Sequence, residues 1–304
     1  MRQRVLITGG SGLLALNWAQ AMRDRCVITL GLHNRHISLA GTISKMVNLE
    51  SVSQLVRVFD ELECKVVINA AGLTSIERCE SDPALAQHAN VTLASNIAKA
   101  CAKLGIQLVQ ISTDHLFSGQ ESMVSENHPI SPLNIYGKTK AEAEFRVLEI
   151  DPRALVIRTN FYGWGTRYRQ SFSDMVLNAL RSHKEITLFQ DVLYTPILIE
   201  TVSQVVHDLI DINAGGIFNV VGDDRISKCE FGRIIAEKFK LDSSKIVPGL
   251  LSNQSKLIQR PFDLSLSTNK VRKLLNRSEG SVRSQIETLR QQEFIGLTEE
   301  LQKL

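Results

Sequence analysis

Near its start the chain reads Arg4-Val-Leu-Ile-Thr8, then Gly9-Gly10-Ser11-Gly12, then LLALNWAQAM. The short apolar run predicts a buried strand, and Leu13, Leu16, Ala19 and Met22 recur at the spacing of one helix face. Asn17 falls off that stripe and Trp18 sits beside it. Strand, glycine turn and helix in this order constrain the fold strongly. The first NH groups of such a helix have no partners within it, so they can receive a pyrophosphate. The spacing is Gly9, Gly12 and Ala15, a GxxGxxA variant of the GxGxxG fingerprint. A glycine turn before a merely structural helix is the plain alternative.

The alternation continues. Cys26 to Leu30 reads as a second strand, Leu55 to Leu62 as a helix, Lys65 to Asn69 as a strand, Ala84 to Leu104 as a helix and Gln107 to Ser112 as a strand. Repeated βα units predict an α/β fold, a Rossmann-type parallel sheet flanked by helices on both faces. After the second strand this fold often carries an acid for the adenosine ribose, but Gly31 to His36 contains none. Arg35 can instead pair with a 2′-phosphate, which favours NADP(H) while leaving NAD(H) open; a plain surface arginine is the alternative. Asn69-Ala70-Ala71-Gly72 ends a strand on small residues, so a bound ring could approach the backbone there. Asn90, inside the long predicted helix, is either a satisfied polar group or a bridge toward the active-site strand.

Composition narrows the class. The 304 residues, 43% apolar, suffice for a core without metal or disulfide staples. Lys and Arg number 35 against 32 Asp and Glu, scattered rather than clustered, so no nucleic-acid partner is expected. Five cysteines, Cys26, Cys64, Cys79, Cys101 and Cys229, form no CxxC pair and fit a reducing compartment. MRQRVLITGG reaches glycines before an apolar signal core could form, and no apolar run approaches the ~20 residues that span a bilayer. A cytoplasmic protein with no membrane partner is expected. No histidine and carboxylate grouping points to a metal.

The chemistry gathers after the strand QLVQI, at Ser112-Thr113-Asp114-His115-Leu116-Phe117, and later at Tyr136-Gly-Lys-Thr-Lys140. Tyr136 and Lys140, four apart, share a face if a helix begins near Tyr136. The lysine charge is then expected to lower the tyrosine pKa and ease proton exchange. Thr113 could hold a carbonyl or alcohol oxygen against Tyr136 while a nicotinamide exchanges hydride with the carbon. Singly, each residue has a bland reading, as a surface tyrosine, a solvated lysine or a strand-end hydroxyl. Together with the glycine turn they point to an enzyme.

With RVLITGGSGLLA, VVINAAGLTSIERCESDPALAQHANV, ISTDHLF, PLNIYGKTKAEAE and VIRTNFYGWG in this order, the sequence resembles the extended short-chain dehydrogenase/reductase family. Within it the dTDP-4-dehydrorhamnose reductase branch is most similar. The resemblance implies that Thr113, Tyr136 and Lys140 are the catalytic trio, with Tyr136 the proton donor in reduction and Lys140 bonded to the nicotinamide ribose. It makes Ser112 and Asn90 supporting residues, Gly9, Ser11, Gly12, Leu13 and Leu14 the phosphate turn, and Asn69, Ala70 and Ala71 the strand end beside the cofactor. Asn48 and Leu49 stand where an acidic residue often precedes the adenine-side loop. Asn160 and Tyr162 lie where relatives pass from cofactor to substrate contacts, and Thr74, Asp114, Phe117 and Trp164 are counted on the substrate side. His115 replaces a common tyrosine and alters the sugar-side pocket.

From Trp164 the pattern changes. Residues 1–163 and about 191–222 are expected to form the NAD(P)-binding domain, about 164–190 and 223–295 a smaller substrate lobe, and 296–304 a C-terminal tail. Arg167, Tyr168 and Arg169 supply a cationic and aromatic group, and Arg260 lies in QRPFDLSLST. Arg167 and Arg260 are taken as contacts for the phosphates or base of a sugar nucleotide; a solvated surface is the alternative for either.

The resemblance implies NAD(P)H-dependent reduction of a nucleotide-linked 4-keto-6-deoxy sugar, an oxidoreductase of dTDP-rhamnose and cell-surface polysaccharide biosynthesis. Two alternatives stay open. One is a nucleotide-sugar epimerase or dehydratase, although Asp114 is followed by His115 rather than a second acid. The other is a noncatalytic subunit resembling methionine adenosyltransferase beta, since site residues can persist in a binding protein. A homodimer is compatible with either.

Overall fold

The structure is a computed structural model describing residues 2–304. Its first half runs β1 (Gln3–Thr8), α1 (Leu13–Met22), β2 (Cys26–Leu32), β3 (Ile43–Met46), α2 (Val52–Glu61), β4 (Val66–Asn69), α3 (Ile76–Ser81), α4 (Pro83–Gln87), a π turn (His88–Thr92), α5 (Leu93–Leu104), β5 (Gln107–Ile111) and α6 (Ile135–Ile150). The second half runs β6 (Leu155–Arg158), β7 (Phe161–Tyr162), α7 (Phe172–Arg181), β8 (Ile186–Phe189), β9 (Leu193–Tyr194), β10 (Ile197–Leu198), α8 (Ile199–Asp211), β11 (Gly216–Asn219), β12 (Ile226–Ser227), α9 (Lys228–Lys238), β13 (Ile246–Gly249), α10 (Asn269–Leu275), α11 (Val282–Phe294) and α12 (Leu297–Gln302).

Seven strands form one parallel sheet in the order β11-β6-β5-β4-β1-β2-β3. Strand order reverses between β1 and β4, which opens a crevice at their carboxyl ends. The strands that frame it are buried at Val5–Thr8 and Val66–Asn69, as apolar runs covered on both faces must be. Helices α1 and α8 pack together on one face, and α2, α5 and α6 on the other. The Rossmann-type reading therefore holds, and β11 closes one edge of the sheet by pairing with β6.

Two local expectations are corrected and one is refined. Helix α1 is buried almost all round, because α8 and the segment after β7 both close on it. Asn17 clamps that segment, donating to the Trp164 carbonyl at 2.7 Å and accepting from the Trp164 NH at 2.9 Å. Trp18 is fully buried, and its indole donates to His207 Nε2 at 3.3 Å. The Ala84 to Leu104 stretch is helical throughout, as expected, but not regular: a π turn widens it at His88–Thr92, where Asn90 is buried. Strand β3 was not anticipated, because Ile-Ser-Lys-Met is exposed throughout and carries no alternation; it forms by extending the β2 edge.

The smaller lobe is held by β8 paired with β13, β9 paired with β12, and an aromatic knot around Phe231. Tyr162 and Tyr194 meet that ring edge-on and Phe172 stacks on it. The final residues, read as a tail, include helix α12, which docks on α1 by burying Leu301 and pairing Glu300 with Arg23 at 2.6 Å. Among the described residues no helix is long and apolar enough to cross a membrane, and no His/Cys/Asp/Glu group could hold a metal.

Candidate active site

A cleft of about 320 Å³ opens at the ends of β1, β4 and β5. Gly9, Gly12, Leu13 and Leu14 line one wall, and Ala70, Ala71 and Thr74 the other. Gly9 has φ +67°, and a Cβ there would come within 2.9 Å of the Ala70 carbonyl oxygen, so only glycine brings the turn this close to β4. Gly12 starts α1 without a side-chain cap, leaving the first helical NH groups available to an anion. The Ser11 carbonyl accepts from the Tyr168 hydroxyl at 3.0 Å.

Beneath the cleft runs a buried polar chain. Thr8 Oγ1 donates to Asn69 Oδ1 at 2.6 Å, Asn69 Nδ2 to Gln110 Oε1 at 2.8 Å, and Gln110 Nε2 to the Ile111 carbonyl at 3.1 Å. Lys140 Nζ donates to the same carbonyl at 2.6 Å. The chain links the glycine-turn strand β1 to α6 through β4 and β5, and Asn69 serves it from below the wall.

Helix α6 begins beside the cleft because Asn134 caps it, accepting from the Gly137 NH at 2.9 Å. Gly137 lies so close to the His115 carbonyl that no Cβ fits, which draws Tyr136 against the β5 end. Tyr136 and Lys140 both line the cleft, with Ser112, Thr113, Asp114 and His115 from the loop after β5. Thr113 Oγ1 donates to Asp114 Oδ1 at 3.1 Å, and Asn160 Nδ2 donates to Asp114 Oδ2. Ser112 and His115 line the cleft, and Ser112 Oγ and His115 Nδ1 are buried without a protein partner.

The expected depression of the tyrosine pKa is not found. Burial pushes the Tyr136 hydroxyl up to about 12; a hydrogen bond with Thr113 opposes the rise and the nearby Asp114 charge adds to it. Burial likewise pulls Lys140 down to about 8, with Glu144 one turn along the helix opposing. Burial is the largest influence on Tyr136, and the Lys140 ammonium is engaged by the Ile111 carbonyl at 2.6 Å. His115 is lowered by burial, so its imidazole is neutral at neutral pH; its ring meets Tyr136 edge-on, with centroids 5.7 Å apart.

A second chamber of about 240 Å³ shares Ile76, His115 and Asn160 with the cleft and continues into the smaller lobe. Phe172, Phe189, Lys228 and Arg260 line it. The Lys228 ammonium sits over the rings of Tyr194 and Phe172, at 4.2 and 4.8 Å, and burial pulls it down to about 8. Arg260 donates to Glu77 Oε1 at 2.5 Å.

The other expected residues lie elsewhere. Asn90 borders the cleft, but its amide is spent on Leu73 and Thr139 Oγ1, so it braces α6. Asn48 bonds Gln54 and the Glu50 NH, and the Leu49 carbonyl accepts from Asn96; both lie by α2, where the unforeseen β3 carries the chain. Phe117 packs with Leu116, Val124, Val221 and Leu266, Tyr162 joins the aromatic knot, and Trp164 is buried with its indole on the Leu289 carbonyl. All three face core rather than cleft. Arg167 is exposed, whereas Arg169 lines the cleft and donates to Thr74 Oγ1 at 3.3 Å. Arg35 sits over the Tyr168 ring. Sequence reasoning missed Lys228, a lone lysine after a serine cap with no motif around it.

These residues fit a dinucleotide: an uncapped helix start, a glycine cradle that a Cβ would fill, and an orphaned Ser112 hydroxyl along one continuous cleft. A family profile described as the RmlD substrate binding domain matches residues 3–293. The chain belongs to this family. Among relatives of this RmlD-type chain, the probable low-salt glycan biosynthesis reductase Agl14 of Haloferax volcanii is 25% identical over 93% of the chain and 96% of its own length. The mouse methionine adenosyltransferase 2 subunit beta is 29% identical over 90% and 82%. A solved structure from Sulfolobus tokodaii, described as a hypothetical dTDP-4-dehydrorhamnose reductase, superposes with a TM-score of 0.78 at 27% identity, covering 90% of this chain and 94% of that one.

Proposed function

We propose that this RmlD-type chain reduces the C4 ketone of a nucleotide-linked 4-keto-6-deoxy sugar, preferring NADPH and accepting NADH. The observation that carries the reading is one cleft with the glycine turn on one wall and Thr113, Tyr136 and Lys140 on another. The Haloferax relative, a probable glycan biosynthesis reductase, supports it.

The glycine turn and the start of α1 would hold the dinucleotide phosphates, with Ala70 and Ala71 beside it, and Arg35 would take the 2′-phosphate. A bound nicotinamide supplies the hydride. Tyr136 gives its proton to the sugar O4 as charge develops there; because burial holds that proton up to about 12, the residue is an acid across the working range. Thr113 orients the same oxygen, and the Lys140 ammonium stabilises the phenolate left behind. His115 and Asn160 stand between cleft and second chamber, where the sugar would pass into its diphosphate. Lys228 and Arg260 then meet the anion, and Phe172 and Phe189 offer faces to the base.

The domain assignment follows this division, with residues 1–163 and about 191–222 serving the dinucleotide and about 164–190 and 223–295 the sugar nucleotide. A soluble nucleotide substrate and five buried free thiols suit work in the cytoplasm.

Purified protein offered nucleotide-linked 4-keto-6-deoxy sugars should oxidise NADPH, faster than NADH, and the rate should fall above about pH 8 as Lys140 loses its proton. A flat profile through that region would remove the lysine's electrostatic role. The mouse subunit's similarity favours one other reading, a noncatalytic regulatory subunit. It predicts no turnover and a stable complex with a methionine adenosyltransferase catalytic chain.

A further inference from the structure

Arg35 lies on the carboxylate-free loop after β2, exposed, and with no hydrogen-bond or ion-pair partner among the described residues. Its guanidinium carbon sits 3.8 Å from the centre of the Tyr168 ring. Tyr168 comes from the segment after β7, far from Arg35 in sequence, and its hydroxyl donates to the Ser11 carbonyl of the glycine turn at 3.0 Å. A single tyrosine therefore touches both the phosphate turn and the cation beyond it.

The ring's own support is firm. Thr166 and Arg169 exchange backbone hydrogen bonds at 2.8 and 3.3 Å, closing a tight turn around Tyr168. Asn17 clamps Trp164 on one side, and Gln302 from α12 donates to the Gly165 carbonyl at 3.2 Å. By contrast, Arg35 on its exposed loop would sample many rotamers if unheld. Stacking fixes a guanidinium by its face and leaves its in-plane N–H donors free for a phosphate.

We infer that Tyr168 is a positioning residue for NADP(H) selection, holding Arg35 beside the glycine turn where a 2′-phosphate arrives. This rests on the reading of Arg35 as that phosphate's partner. NAD(H) lacks the phosphate and gains nothing from the stack, so the effect of the stacked ring is confined to the phosphorylated cofactor, whereas the hydroxyl's hold on the glycine turn serves both cofactors alike. Selectivity is then set partly from the segment that also carries Arg169 into the reactive cleft, and the β2 loop alone does not determine it.

Calorimetric binding of adenosine 2′,5′-bisphosphate and adenosine 5′-monophosphate to the full chain separates the outcomes without turnover. Wild type should favour the bisphosphate. Tyr168→Leu should reduce that preference about two- to fivefold, the worth of an exposed cation–π contact, while any loss from the missing Ser11 contact lowers both affinities alike and cancels in their ratio. Tyr168→Phe, which keeps the ring, should retain most of the preference. In an Arg35→Met background Tyr168→Leu should have no further effect. Wild-type preference in Tyr168→Leu, or an equal loss that persists in the Arg35→Met background, overturns the positioning role alone. Preference that survives Arg35→Met overturns the reading of Arg35 and the inference with it.

Discussion

Tyr136→Phe should lower kcat by about 10²- to 10⁴-fold, the usual worth of a positioned proton donor, with NADPH affinity little changed. The two effects separate because the ring and the hydroxyl do different work. The ring packs with Ile76, Cys79 and Ala86 and against His115, contacts that phenylalanine keeps. The hydroxyl is the cleft's acid, its proton retained by burial up to about 12. Steady-state rates on a 4-keto sugar, beside cofactor binding followed by fluorescence, read both. An unchanged kcat would end the acid assignment, whereas loss of cofactor binding would mean that the substitution had disturbed the cleft wall.

Arg158→Met should destabilise the protein by about 3–5 kcal/mol, the cost of stranding a buried charge. Arg158 on β6 and Glu144 on α6 are 1% and 3% exposed and meet through a fork, with Nη2 at 2.7 Å and Nε within reach of both carboxylate oxygens. Removing the arginine strips Glu144 of its hydrogen-bonded partner and leaves only the Lys140 charge, one turn away, to offset it. Denaturant unfolding should show the loss, and Glu144→Leu added to Arg158→Met should restore much of it, since a well-packed apolar pair avoids the desolvation cost. A midpoint unmoved by Arg158→Met would show that the pair contributes nothing to holding α6 on the sheet. The consequence reaches the site, because α6 carries both Tyr136 and Lys140.

The features legible in the sequence were those set by local rules. Unbroken apolar runs gave the central strands, Gly9 and Gly12 the turn, and the four-residue spacing of Tyr136 and Lys140 their shared face. Features that depend on tertiary surroundings were misread. Asn17 looks like a solvent-facing residue until the Trp164 segment folds onto it, and the π turn at Asn90 has no propensity signature distinguishing it from the helix on either side. Tyr162, Trp164 and Phe117 sit beside cleft residues in sequence, but their side chains turn into the core, and sequence order cannot report that direction. Lys228 was invisible for the opposite reason, since its meaning comes only from Tyr194, Phe172 and Arg260, which the fold brings to it. The pKa of Tyr136 was misjudged because the charge of Lys140 can be read from spacing, whereas the burial of the phenol cannot.

The most direct test of the reductase reading is a turnover with NADPH carrying deuterium at the transferable C4 position and a nucleotide-linked 4-keto-6-deoxy sugar, followed by mass and magnetic-resonance analysis of both products. Reduction predicts one cofactor oxidised per sugar consumed and the label at C4 of the new alcohol. Label left on unconsumed cofactor, with the sugar unchanged, epimerised or dehydrated, would contradict it.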